Sequence, residues 1–137
     1  MLSKKVISFL FGSLVVMGFA FIFLTTRVLE NCENHIIRTE VSPNTTFKAV
    51  IYLRKCGPNA ENTLNISIFK NEQKFWKGRG NIFVAVTGSD GLNQEISGYA
   101  ISVHWIGDNE LIVNLDHKKE IRKRERMFQN INITYQN

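Results

Sequence analysis

From Val6 to Leu24 the chain carries hydrophobic side chains at every position except Ser8, Gly12, Ser13 and Gly18. As a helix rising 1.5 Å per residue, this run reaches ~28 Å, close to the ~30 Å apolar core of a bilayer. After Cys32 the pattern changes to period two, the signature of strands with one buried face. His35 to Val41 is the first such segment, ended by the turn formers Ser42-Pro43-Asn44-Thr45. Phe47 to Arg54 is almost continuously apolar, which predicts a strand inside a sheet, and Cys56-Gly57-Pro58-Asn59 breaks it. Leu64, Ile66 and Ile68 alternate with Asn65, Ser67 and Phe69, predicting one buried face and one mixed face.

Further along, Lys77-Gly78-Arg79-Gly80 predicts a flexible hairpin before a strand from Ile82 to Val86, and Gly88-Ser89-Asp90-Gly91 a loop after it. Tyr99, Ile101, Val103 and Trp105 form the cleanest alternation, and Gly107-Asp108-Asn109 reads as a hairpin turn into Leu111, Val113 and Leu115. Ile121 to Phe128 fits neither period. Ile131, Ile133 and Tyr135 alternate again. The expected architecture is mainly β: an N-terminal transmembrane helix, then a small domain of seven or eight strands. These are mostly antiparallel because the connections are too short for crossover helices. The divisions are 1–5 before the membrane, 6–24 as anchor, 25–34 as a short linker and 35–137 as the β domain.

The anchor competes with two other fates. A cleaved signal would end its apolar stretch at a small-x-small site such as Gly18-Phe19-Ala20, but the run continues through it to Leu24. Lipid attachment at Cys32, three positions after Leu29, is opposed by Glu30 and Asn31, where small residues belong. Lys4 and Lys5 precede the helix, while Arg27 beyond it is offset by Glu30 and Glu33, so the N-terminus is expected in the cytoplasm and the β domain outside. In that compartment Cys32 and Cys56, the only cysteines, are expected to form a disulfide.

Charge adds one local feature. Setting aside Lys4, Lys5, Arg27 and Glu30 reduces the net charge from +5 to +3, with 14 basic and 11 acidic residues. Six of the basic residues, Lys118, Lys119, Arg122, Lys123, Arg124 and Arg126, fall within nine positions. On a strand, Arg122, Arg124 and Arg126 would project from one face as a row of planar donors suited to carboxylate or phosphate. The same row also guards an edge strand against pairing with other chains. An outside location argues against nucleic acid and leaves an anionic envelope component or another envelope protein as partner.

Several short segments carry a resemblance: Cys32-Glu33-Asn34, Ser42-Pro43-Asn44 leading into Phe47-Lys48-Ala49-Val50, Arg54-Lys55-Cys56-Gly57, Gly80-Asn81-Ile82-Phe83, and Val103-His104-Trp105 through Asp108 to Glu110-Leu111. Together, from Cys32 to Tyr135, they resemble a family of short bacterial envelope proteins with an N-terminal signal or anchor and no established activity. Members usually carry aspartate and glycine where this chain has Asn44 and Thr45. The resemblance implies a bacterial source and supports the domain boundary, but it supplies no site residues. In a bacterial protein the triplets beginning at Asn44, Asn65 and Asn132 imply no glycosylation.

Catalytic chemistry finds little to work with. His35, His104 and His117 lack the close pairing with other ligands that a zinc site shows, so no metal and no cofactor is expected. No serine lies in a nucleophile-elbow pattern, and Lys77-Gly78-Arg79-Gly80 lacks the spacing and following Lys-Ser/Thr of a phosphate loop. The expectation is therefore a non-enzymatic, membrane-tethered interaction module. The competing reading is a small envelope hydrolase using His104 and Asp108.

Overall fold

The computed structural model describes residues 3–28, 32–88, 101–115 and 120–136, with side chains throughout except at 23–28 and 88. The 88–91 loop, Tyr99, His117, Lys118, Lys119 and the positions Leu29, Glu30 and Asn31 lie outside this description in whole or part. Two compact units result, one ending at Asn31 and the other beginning at Cys32.

The first unit is helix α1, Lys4–Val28. The Ser3 carbonyl starts it by accepting from the amides of Val6 and Ile7. Phe9 is 81% exposed and Leu14 75%, so the helix presents large apolar side chains all round. It is long and apolar enough to cross a membrane.

The second unit contains nine strands among the described residues: β1 (Glu33–Val41), β2 (Phe47–Lys55), β3 (Asn62–Lys70), β4 (Phe83–Gly88), β5 (Ile101–Gly107), β6 (Glu110–Leu115), β7 (Ile121–Arg124), β8 (Met127–Phe128) and β9 (Ile131–Gln136). They form two sheets, β1-β2-β3-β4-β7 and β5-β6-β9-β8. Seven or eight strands were expected. The difference lies in the segment that fitted neither period, because β7 pairs with β4 in the first sheet while β8 pairs with β9 in the second. That crossing also lets β9 lie parallel to β6 without a helix, the single departure from antiparallel pairing among the described strands.

Alternation supplies the core between the sheets. Ala49 and Ile51 of β2, Leu64, Ile66 and Ile68 of β3, and Phe83 and Ala85 of β4 meet Val103, Leu111, Val113, Ile131 and Ile133 from the second sheet. One edge is bridged where Trp105 Nε1 donates to the Glu40 carbonyl at 3.1 Å. At the opposite edge the Tyr135 hydroxyl donates to the Glu125 carbonyl at 2.9 Å and the Ile82 carbonyl at 3.3 Å. The two hairpin turns of residues 42–46 and 108–109 are joined by the Asn44 amide donating to Asp108 Oδ1 at 3.1 Å.

Candidate functional site

Register brings the other face of the first sheet together row by row. Tyr52 lies beside Asn65, Asn65 beside Val84 and Val84 beside Lys123, while the next row sets Asn34 beside Arg54 and Arg54 beside Thr63. Period two makes this the mixed face of β3 and predicts that it meets water. Instead Asn65 is 0% exposed and Ser67 1%. The reason is the 71–82 segment, which folds over the sheet and seats Phe75 edge-on against Tyr52 and Phe69.

Buried polar groups must be hydrogen-bonded, and Tyr52, Asn65 and Ser67 each meet that need by holding the cover. The Tyr52 hydroxyl donates to the Gly78 carbonyl at 2.9 Å and lies 3.2 Å from Ser67 Oγ. Asn65 Oδ1 accepts from the Gly80 amide at 2.9 Å, and Ser67 Oγ accepts from the Asn81 amide at 3.0 Å. The Asn81 side chain in turn bonds both the amide and the carbonyl of Ile68. Lys77-Gly78-Arg79-Gly80 is therefore a pinned cover and not the flexible hairpin its glycines predict. Burial raises the pKa of the Tyr52 hydroxyl, opposed by the Ser67 hydrogen bond and the charge of Arg54.

Beside the cover the sheet opens into a cleft of about 410 Å³, a size that accommodates a small ligand. Among the described residues its walls carry Arg54, Arg79, Arg122 and Lys123 against one carboxylate, Glu61. Arg54 is only 9% exposed. One of its terminal nitrogens, Nη1, donates to the Lys77 carbonyl at 2.7 Å and to Asn34 Oδ1 at 3.3 Å, but its Nε has no hydrogen-bond partner among the described residues. No carboxylate pairs with it among those residues either. A buried cation balanced only by neutral dipoles is costly unless an anion joins it.

Arg122 and Lys123 are consecutive yet line the same cleft, because the β4–β7 register shifts between Val84 and Ala85 and leaves Arg122 at a bulge. Arg122 is ion-paired with Glu61 and, at 3.3 Å, with Glu120. The row expected from Arg122, Arg124 and Arg126 is divided by the same geometry. Arg124 stacks over the Tyr135 ring at 4.5 Å, and Arg126 follows the end of β7. β7 does form the edge of its sheet.

His35, His104 and Asp108 are not among the residues that line the cleft. His104 is exposed on β5, and Asp108 sits in the following turn with a carboxylate oxygen engaged by the Asn44 amide. His35 is exposed on β1, 3.4 Å from Glu33. Cys32 and Cys56 are joined as a disulfide, and Cys56 lies at the cleft wall. Sequence reasoning missed Arg54 and Arg79, since one ends an apolar strand and the other sits in a glycine-rich connection. The available signal was Asn65 and Ser67, whose placement between core residues demands polar partners. Comparisons with protein-family models, curated proteins and solved structures find no match to this chain.

Proposed function

We propose that this chain is a non-enzymatic binding module, tethered to the cell envelope by its uncleaved N-terminal helix, whose cleft captures an anionic envelope component. The observation that carries the reading is a buried arginine that has no acidic partner among the described residues, grouped with three further cations around one cleft. Arg122 belongs to the site as part of that group. Orientation follows from Lys4 and Lys5, which favour a cytoplasmic N-terminus, and the disulfide suits the oxidising side of the membrane. An outside domain meets lipid headgroups, wall polymers and acidic proteins, and no nucleic acid. The resemblance to bacterial envelope proteins is consistent with that setting.

The test is crosslinking of the intact protein in its own membrane, with identification of what is joined to it. The expected product is an anionic component that is lost in Arg79→Gln. The protein should remain in the membrane after alkaline washing, with its C-terminal domain open to added protease. A stable double variant, His104→Ala with Asp108→Ala, should keep the cell phenotype, and an intact phenotype rules out the competing hydrolase.

A further inference from the structure

We propose that the cleft is a site for a phosphate-bearing group, with Glu61 as an internal counter-anion that the ligand displaces. This rests on the cationic cleft being the recognition site and names the ligand class. Among the described residues, counting Arg54, Arg79, Arg122 and Lys123 against Glu61 and against Glu120, which also pairs with Arg122, leaves +2 around the cleft with its own carboxylates in place. A monocarboxylate engages one guanidinium fork and leaves part of that charge unbalanced. A phosphate group brings a charge of about −1.5 to −2 and three acceptor oxygens, enough to reach several cations at once.

Glu61 supplies the second half of the argument. It enters from the turn between β2 and β3 and pairs with Arg122, with both side chains about half exposed. An ion pair with that much solvent contact is weak, which makes the carboxylate easy to displace. Arg54 behaves differently. It is buried and held by a backbone carbonyl, so its position is set before any ligand arrives and needs no reorganisation on binding. The cleft thus combines one fixed, buried guanidinium with mobile-stemmed surface cations and a weakly held surrogate anion. At about 410 Å³ it is larger than a bare phosphate and admits the body of an ester.

The experiment is calorimetric titration of the full-length chain in neutral detergent with inorganic phosphate, against acetate at equal ionic strength. Phosphate should bind measurably tighter than acetate. Glu61→Gln should tighten phosphate binding about threefold, the scale of an exposed ion pair. Arg79→Gln, an exposed position that leaves the buried network intact, should weaken it about tenfold, the scale of a charge-assisted hydrogen bond. To identify the source of the group, the protein is reconstituted in phosphatidylcholine vesicles with or without phosphatidic acid. A fall in apparent phosphate affinity with phosphatidic acid present assigns the site to a lipid headgroup, and unchanged affinity assigns it to a soluble or polymer-borne phosphate. Equal binding of phosphate and acetate, or weaker phosphate binding in Glu61→Gln, overturns the inference. If envelope crosslinking still depends on Arg79 in that case, only the ligand class has failed. If it does not, the cationic-cleft reading falls too.

Discussion

Thr45 occupies the left-handed region, with φ of 57°, in the turn between β1 and β2. A β-branched residue there is strained, while glycine is not. The turn survives because Ser42 Oγ accepts the Phe47 amide and Asn44 Oδ1 accepts the Thr46 amide, at 3.0 Å each. Thr45→Gly should therefore raise stability by about 1 kcal/mol, read from the denaturant midpoint at unchanged m-value. Tyr135 offers a pH test. Burial, helped by Glu125 and opposed by Arg124, pushes its hydroxyl from an ordinary value near 10 up to about 12. The folded state holds this proton longer than the unfolded chain does. Its contribution to stability is complete below pH 10 and is lost as pH rises from 10 through about 12. Unfolding followed from pH 9 to 12 should show stability falling across that window, with a shallower fall in Tyr135→Phe.

The cover over the first sheet depends on one residue too small to be replaced. A Cβ at Gly80 would lie 2.1 Å from the Phe83 carbonyl and 2.9 Å from that of Ile66. Gly80→Ala must push the cover away from β3 and break the Asn65–Gly80 bond, leaving Asn65 Oδ1 buried and unpaired, at a cost of about 1–3 kcal/mol. Hydrogen exchange should show lost protection at the Gly80 and Asn81 amides, with the β6 and β9 amides unaffected. The disulfide acts on a neighbouring element, continuing the β1–β2 ladder one step past Glu33 and Lys55. With the cysteines separated by 24 in sequence, the chain-entropy account assigns it about 3.5 kcal/mol. Cys32 and Cys56 should resist alkylation until reductant is added, and reduction should lower the unfolding midpoint accordingly.

At the scale of the molecule, much of the fold is legible because β3, β5, β6 and β9 each keep period two toward a single shared core, while the continuous apolar run of β2 marks a strand buried on both faces. What escapes the pattern escapes it for physical reasons. Asn65 and Ser67 look solvent-facing because a local window cannot see that residues 71–82 return to cover them. Ile121 to Phe128 looks aperiodic because its two halves belong to different sheets and a bulge interrupts the first. The cleft was out of reach for the same reason, since Arg54, Arg79 and Arg122 are far apart in sequence and meet only through sheet order and the cover. Arg122 alone of the expected arginine row lines it. The central claim is that these cations bind an envelope anion, and salt dependence tests it most directly. Association of the full-length protein with isolated envelope, compared with an Arg79→Gln, Arg122→Gln double variant, should fall steeply for the wild type as salt passes 0.1 M, where screening reaches about 10 Å. The double variant should start weak and change little. Equal association of the two proteins at every salt concentration would contradict the account.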